Sequence, residues 1–346
     1  MKRKLNIGIV GLGHIAQNFH LPSLKTIKDV NIWSCCDKNN NLVKKISKKY
    51  KVSRSFLNYK KFISDKKLDA VHICTPPYLH YRDIMTAIKF QKHFFVEKPF
   101  TIKNSEAKKI YNSLKGKKII GMCAMHQRYR EISERIKKKV ENGDIGKIYL
   151  VKIQKSQFRN IPRHSKVFSK KEYSGGGVLI DLGSHYFDLV LWILNFPKIN
   201  KVISKNFNIL AKSNKLIKSP LPFKYFNNEE LSTGSIFMKN NLIINYELSY
   251  LLNKKKNITK IEFFGDKGSI SWPDGKIFYE DKKGNFKEKK INFNKNQKAS
   301  KKEVEQFIEN IKKKYTPQDV RQQNIVTKLI DRLYQSSKKQ NIIKYD

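Results

Sequence analysis

The sequence is poor in acidic residues, in cysteine and in long apolar runs. Its 72 Lys and Arg residues stand against only 29 Asp and Glu, which gives a formal charge of +43. The longest apolar run, 187–196, contains Asp188 and is too short to cross a membrane, so we predict no membrane span. The four cysteines lack CxxC spacing, and no other metal-ligand set and no internal repeat is evident, so we predict no bound metal.

The cysteines all lie in or beside apolar, strand-like runs in the first part of the chain. They are Cys35, Cys36, Cys74 and Cys123. We expect reduced, buried thiols, which are typical of a cytoplasmic protein. The basic first residues precede an apolar run that Gly8, Gly11 and Gly13 interrupt, and no small-residue cleavage site follows, so a signal peptide is not predicted.

The excess positive charge is spread along the whole chain, with no basic tail and no arginine-rich block. We expect most lysines on the solvated surface, where a general cationic character favours anionic substrates. Nucleic-acid binding would need aromatic side chains among clustered arginines, which the sequence lacks. We therefore predict no specific nucleic acid as a partner. A nucleic-acid-binding protein stays an alternative, which a steep salt dependence of binding would reveal.

A glycine-rich turn near the start of the chain has the context of a dinucleotide-binding motif. GLGHIA at 11–16 follows a predicted strand over 5–10 and precedes a predicted helix. In GxGxxA the first glycine makes a tight turn, the second lets the backbone approach a pyrophosphate, and the alanine packs helix on strand. A second predicted strand ends at Asp37, about 20 residues further on, where a carboxylate binds a ribose diol. Asp37 favours NAD, while the neighbouring Lys38 keeps NADP open.

Two further strand ends carry candidate binding residues. TPPYLH at 75–80 forms a proline-rigidified loop after a predicted strand over 70–74, where ligands of an open parallel sheet bind. The next strand, 93–96, ends in EKP at 97–99, which would place Lys98 beside a nicotinamide. A surface lysine before a loop proline is the alternative interpretation. The predicted cofactor-binding residues are Gly11, Gly13, His14, Ile15, Asp37, Lys38, Thr75, Pro76, His80, Glu97 and Lys98.

The order of predicted elements indicates two domains, as a length of 346 residues also suggests. Strands and helices alternate up to residue 125, and a strand-rich pattern with hairpin turns begins at 147. We predict an α/β protein with a Rossmann domain over 1–125 and an α+β domain with a mostly antiparallel sheet over 126–346. The closing helix, 318–337, is expected to pack back on the first domain.

A dense apolar run over 175–194, opened by three glycines, predicts a helix buried on most sides. Asp181, His185 and Asp188 interrupt this run at i, i+4 and i+7, so they share one face of the helix. Burial and a nearby charge both move a histidine pKa, which suits acid–base catalysis. A satisfied Asp–His pair in the core is the alternative.

Taken together, these motifs resemble the Gfo/Idh/MocA oxidoreductase family. The resemblance rests on GLGHIA at 11–16, TPPYLH at 75–80, EKP at 97–99 and GGGVLIDLGSH at 175–185, with support from IG at 145–146, FFGDKGSI at 263–270 and LYQSSKK at 333–339. It implies an NAD(P)-binding Rossmann domain and a second domain whose large open sheet forms a homodimer or homotetramer. It also implies a sugar, cyclitol or nucleotide-linked sugar as substrate.

The resemblance also implies a catalytic set of Lys98, Asp181 and His185. His185 would move the hydroxyl proton, Asp181 would orient His185, and Lys98 would polarise the reacting oxygen during hydride transfer. A nucleotide-binding regulator or scaffold of the same family is the alternative, although it would need none of these three residues.

The substrate contacts are expected near this catalytic set, on the loop over 159–174 and after the strand that ends near 124. They are Lys98, His126, Arg128, Arg159, His164, Asp181 and His185. Arg159, Arg163 and His164 either meet a carboxylate or phosphate of the substrate or are solvated loop charges.

Overall fold

The chain forms two compact units. A computed structural model describes residues 3–162, 167, 170–213, 226–315 and 319–346. One unit consists of residues 1–126 and 298–327, and the other consists of 127–297 and 328–346.

The first unit is built on a parallel sheet. Its described strands are β1 (Leu5–Val10), β2 (Val30–Cys36), β3 (Arg54–Phe56), β4 (Ala70–Ile73), β5 (His93–Val96) and β6 (Gly121–Cys123). They are arranged in the order β3-β2-β1-β4-β5-β6, and every neighbouring pair is parallel. This order is that of a doubly wound dinucleotide-binding sheet, so the predicted Rossmann architecture is confirmed.

Short helices cover this sheet. They are a π-helical turn (Ala16–His20), α1 (Leu21–Lys25), α2 (Asn40–Tyr50), α3 (Tyr59–Ile63), α4 (Pro77–Lys89) and α5 (Asn104–Leu114). Asn39 and Asn58 cap α2 and α3, because each side chain accepts from a backbone N–H three residues on. Pro77 occupies the first position of α4, where its fixed φ suits the helix start.

The second unit is built on a large, mostly antiparallel sheet. Its strands among the described residues are β7 (Ile148–Ser156), β8 (Ile199–Phe207), β9 (Leu231–Met238), β10 (Ile243–Ser249), β11 (Ile258–Gly265), β12 (Gly268–Trp272), β13 (Lys276–Glu280), β14 (Phe286–Lys290) and β15 (Ile343–Lys344). They follow the order β14-β13-β12-β11-β7-β10-β9-β8-β15, in which β7 and β10 form the parallel pair. This mostly antiparallel sheet confirms the predicted fold class.

The second unit also contains helices between residues 131 and 213. They are α6 (Glu131–Glu141), α7 (Lys171–Ser174), α8 (Val178–Ile193) and α9 (Leu210–Ser213). The buried helix predicted over 175–194 is α8, which packs on β9 and β10. Its three opening glycines lie before its first turn.

Two helices close the chain, α10 (Ala299–Lys313) and α11 (Asp319–Lys339). The prediction assigned all of 126–346 to the second domain, but the structure returns 298–327 to the first unit. The physical reason lies in α10, which packs on α1 with Phe307 stacked on Phe95 at 5.3 Å. In addition, Glu303 of α10 accepts a hydrogen bond from the Met125 backbone N–H. Of α11, residues up to 327 belong to the first unit and the rest to the second.

Candidate functional site

The glycine turn after β1 has the geometry that a dinucleotide requires. Gly11 has a φ of +82°, and a Cβ there would meet the carbonyl group of Cys74 at 2.6 Å, so only glycine fits. A Cβ on Gly13 would have no heavy atom within 4 Å, which leaves open space where a pyrophosphate approaches the backbone. His14 and Ile15 are exposed immediately after this turn.

A cavity of about 650 Å³ lies beside the glycine turn in the first unit. Of the predicted cofactor-binding residues it is lined by Gly11, Asp37, Lys38, Thr75 and Pro76. The Asp37 carboxylate accepts from Leu12 N at 2.7 Å and from Asn39 N at 2.9 Å, which fixes its orientation. A carboxylate has about four acceptor positions, so two remain for ribose hydroxyls. These residues therefore fit the adenosine half of NAD.

His80, predicted as a cofactor contact, supports the binding loops. It is fully buried, and its Nδ1 and Nε2 each lie 2.8 Å from a backbone carbonyl oxygen, of Pro99 and Thr75 respectively. It therefore ties the TPPYLH loop to the EKP segment. Asp83 holds the same loop, because its carboxylate accepts from the Thr75 hydroxyl at 2.8 Å. These contacts give His80 a positioning role, and a direct contact with the cofactor stays a prediction.

The EKP segment follows β5 directly. Lys98 is partly exposed, while the carboxylate of Glu97 is held internally. Glu97 Oε1 lies 2.7 Å from His20 Nε2, and its Oε2 accepts from Lys98 N at 3.2 Å. Burial alone would raise the pKa of Glu97, but the hydrogen bond from His20 and the nearby charge of Lys98 hold it below its ordinary value. Glu97 is thus an anchored carboxylate, and its contact with the cofactor stays a prediction.

In the second unit, α8 presents Asp181 and His185 one turn apart on a partly exposed face. The hydroxyl of Tyr250 donates to Asp181 Oδ2 at 2.5 Å. Burial raises the pKa of Tyr250 well above its ordinary value, and the neighbouring Asp181 carboxylate raises it further, so Tyr250 keeps its proton and remains a donor. The Asp181 carboxylate is therefore oriented before any substrate binds.

Asp188, the third polar residue of this face, has a structural partner. Its carboxylate is 1% exposed and accepts from Arg128 Nε at 2.7 Å and from a second guanidinium nitrogen at 2.5 Å. Arg128, predicted as a substrate contact, is 7% exposed and lies over the Phe196 ring. A buried bidentate pair of this kind holds the guanidinium against its carboxylate, and a contact of Arg128 with a substrate stays a prediction.

The N-terminus of α8 is anchored by a partly buried carboxylate. Glu229 accepts from Gly177 N at 2.9 Å, from Leu179 N at 3.0 Å and from the Tyr334 hydroxyl at 2.7 Å. A Cβ on Gly177 would collide with the Glu229 carbonyl oxygen, which explains a glycine at this position. Since the helix N-terminus favours negative charge, Glu229 fixes the start of the helix that carries Asp181 and His185.

The remaining predicted substrate residues are placed as follows. Arg159 donates to the carbonyl oxygens of Phe158 and Leu252, and its guanidinium lies over the Phe158 ring at 4.2 Å. His126 begins a short 3₁₀ helix after β6 and is partly exposed. His164 and Arg163 lie outside the described residues. Within the described ranges, no cluster of three His, Cys, Asp or Glu could hold a metal ion.

Sequence reasoning missed Tyr250, Glu229 and Tyr334. Tyr334 lies in the LYQSSKK segment that supported the resemblance to the family, but no feature of the sequence assigned Tyr334 a function. Tyr250 and Glu229 flank ordinary strands, and nothing in their spacing marks them.

No described helix has the length and apolar character that a membrane crossing needs.

A doubly wound sheet with a glycine turn and an acidic strand end defines the first unit as a nicotinamide-dinucleotide domain of an oxidoreductase. The chain belongs to the Gfo/Idh/MocA family. The model of the oxidoreductase family with an NAD-binding Rossmann fold matches residues 5–124, and that of the GFO/IDH/MocA C-terminal domain matches residues 133–271. The predicted family and the predicted cofactor, NAD, are confirmed.

Several characterised proteins are similar to this chain. D-glucoside 3-dehydrogenase of Escherichia coli is 25% identical over 96% of this chain and 95% of its own length. Myo-inositol 2-dehydrogenase of Thermotoga maritima is 26% identical over 55% of each chain. Among solved structures, levoglucosan dehydrogenase in complex with NADH is 18% identical, with a TM-score of 0.87 over 99% of this chain and 100% of that one. This last likeness shows the fold alone.

Proposed function

We propose that the protein is an NAD-dependent dehydrogenase that transfers a hydride between nicotinamide C4 and a secondary alcohol or ketone of a sugar, cyclitol or nucleotide-linked sugar. The observation that carries the proposal is the Asp181 carboxylate, fixed by Tyr250 one helical turn from His185. The named activities of the similar proteins, on a glucoside and on an inositol, support this substrate class. When bound, NAD supplies the hydride acceptor or donor.

Three side chains have roles in this proposal. His185 takes the hydroxyl proton in oxidation and returns it in reduction, a contribution of about 10²–10⁴-fold in rate. Asp181 orients the His185 ring and stabilises its charged form. Lys98 donates to the reacting oxygen and stabilises the negative charge that develops there. His126 is kept as a proposed substrate contact, together with Arg159 and His164.

The test is a panel of polyols, free sugars and nucleotide-linked sugars assayed for NAD reduction. We expect NADH to raise the melting temperature and at least one sugar or cyclitol to be oxidised. Binding of NADH without turnover of any member of the panel, in either direction, would contradict the proposal.

Replacement of Asp37 by asparagine is expected to weaken NADH binding by about 10- to 100-fold, because a hydrogen bond to a charged group contributes about 1.5–3 kcal/mol. The asparagine oxygen can still accept from Leu12 N, while its NH2 group cannot accept from Asn39 N. The measurement is the Kd of NADH and of NADPH by fluorescence titration. Lys38→Ala is the matched variant, and it should weaken only NADPH. Equal NADH affinity in Asp37→Asn and in the native protein would remove Asp37 from the cofactor site.

Replacement of Tyr250 by phenylalanine is expected to lower kcat by about tenfold, because Asp181 loses the donor that orients it. Tyr246→Phe is a matched control. Tyr246 is also buried, but its hydroxyl lies 2.7 Å from the Ser204 hydroxyl and 3.3 Å from the Ser232 hydroxyl. Steady-state kinetics on both variants decide the point. Equal losses in the two would show that the Tyr250 hydroxyl contributes to packing and not to catalysis.

We further propose that the protein assembles as a homodimer or homotetramer through the open face of the second-unit sheet. That face carries polar side chains such as Gln154, Thr233, Asn245 and Glu247 around a shallow cavity. Light scattering on the purified protein measures the assembly.

We also propose a cytoplasmic location. All four cysteines are free thiols, and burial, with the charge of Asp37 close by, raises the pKa of Cys36 to about 12. Such thiols are unreactive and are typical of a reducing compartment.

A further inference from the structure

Two buried histidines form a series of hydrogen bonds that ends at Glu97 of the EKP segment. His72 on β4 is 0% exposed and His20 at the end of the π-helical turn is 2% exposed. Their Nδ1 atoms lie 2.9 Å apart, and His20 Nε2 lies 2.7 Å from Glu97 Oε1. Glu97 Oε2 in turn accepts from the backbone N–H of Lys98. The function proposed above uses Lys98 but gives no role to either histidine.

The direction of the hydrogen bonds from His72 to Glu97 follows from which ring nitrogens carry a proton. A contact between two Nδ1 atoms requires a proton on one and a lone pair on the other. His72 Nε2 has no hydrogen-bond partner within the described part of the chain. A buried N–H without an acceptor is rarer and less favourable than an unused lone pair, so the proton of His72 lies on Nδ1. His72 therefore donates to His20, and His20 donates to the Glu97 carboxylate.

The surroundings of the two histidines are apolar. The His72 ring packs against Phe95 at 5.0 Å and against Phe307 at 5.6 Å, and His20 packs against Phe95 at 5.5 Å. Burial lowers the pKa of His72 well below its ordinary value, which keeps it neutral. Polar groups at such a position cost free energy unless they are bonded, and apolar side chains would fill the same space. We therefore infer that these hydrogen bonds hold the Glu97 carboxylate in place.

We propose that His72 and His20 are positioning residues, which hold the Glu97 carboxylate and, through it, the backbone of Lys98 in the arrangement that catalysis needs. His20 ends the helical turn that begins at Ala16, directly after the dinucleotide-binding glycines. It therefore couples the phosphate-binding segment to Lys98, so that cofactor binding steadies the catalytic lysine. The inference rests on the proposed function, because it assumes that Lys98 acts on the reacting oxygen.

Three variants test this series of hydrogen bonds. His20→Phe keeps the ring shape and removes both hydrogen bonds, and we expect kcat to fall by about 10- to 100-fold with the Kd of NADH within threefold. His20→Gln retains an N–H for Glu97 and should recover most of this loss. His72→Phe removes only the donor to His20 and should give a smaller loss. The control is His93→Phe, at the start of the same strand β5, where Nδ1 accepts from Ile120 N. It should lower stability without lowering kcat.

The pH profile separates positioning from mere packing. The titratable groups that influence Glu97, or that it influences, are His20, Lys98, His126, His80 and Cys74. The pKa of Glu97 is lowered by its partners, so the native carboxylate stays charged down to acidic pH. In His20→Phe the donor is lost while burial remains, so the pKa of Glu97 rises. In His20→Phe the acid limb of kcat should then gain a second step from Glu97, in addition to the step that protonation of His185 causes in every variant, and His93→Phe should show no such second step.

Hydrogen exchange at the Lys98 amide provides a readout that does not depend on turnover. NADH should slow exchange of this amide in the native protein and have a smaller effect in His20→Phe. Unchanged kcat, pH limb and exchange in His20→Phe would overturn the inference, even if Lys98→Met is inactive and the proposed function stands. If no sugar is oxidised, the proposed function fails on the substrate panel, and the exchange measurement alone decides the inference.

Discussion

Replacement of Lys98 by methionine is expected to lower kcat by about 10²–10³-fold, the usual effect of removing a donor that stabilises a developing oxyanion. Methionine keeps the unbranched shape and removes the ammonium group. Because Lys98 is proposed to act on the reacting oxygen, the effect should appear in kcat, and the Kd of NADH should stay within about threefold.

Lys103→Met is the control for this variant. Lys103 is an exposed lysine of the same connection between β5 and α5. Steady-state rates with the most active sugar of the panel compare the two. If Lys98→Met turned over at the native rate, Lys98 would be a surface lysine before a loop proline, and the proposed role would be wrong.

Replacement of His185 by alanine is expected to have an effect of about 10²–10⁴-fold on kcat, because it removes the group that moves the hydroxyl proton. Alanine favours the helical backbone of α8, and His185 is only partly buried, so the fold should be retained. Ser184→Ala is the control at the neighbouring position, where the hydroxyl donates to the Asp181 carbonyl oxygen. Native NADH affinity with lost turnover is the expected pattern.

Asp181→Asn adds a second measurement on the same pair. If Asp181 acts through His185, the double variant with His185→Ala should be no slower than His185→Ala alone, because residues that act as a unit are not additive. Additive losses would show that Asp181 has a separate role, such as a direct contact with the substrate.

The central part of each unit could be predicted from the sequence because its signals are local. The glycines at 11 and 13, the strand over 30–36 and the Asp37 that follows it all fall within one βαβ unit, and the structure places Gly11, Cys36 and Asp37 around one cavity. The apolar run of α8 was likewise visible, although the helix begins at Val178 and not at the glycines. By contrast, β3 was missed because Arg54–Phe56 is a short edge strand with two exposed residues and no apolar run.

The partners of the polar residues could not be predicted because they come from distant parts of the chain. Asp181 and Asp188 stand on the same face of one predicted helix, yet Tyr250 binds the first and Arg128 the second. Nothing in a helical period distinguishes a carboxylate that pairs with a buried guanidinium from one that orients a histidine. The return of 298–327 to the first unit has the same origin, since it depends on the contacts of Phe307 and Glu303 with residues about 200 positions earlier.

A crystal structure with NADH and the sugar that is oxidised fastest tests the central claim most directly. The account predicts that Lys98 Nζ and a ring nitrogen of His185 both lie within about 3.2 Å of one sugar oxygen, whose carbon faces the nicotinamide. A turned-over sugar bound with either nitrogen remote from that oxygen would contradict it.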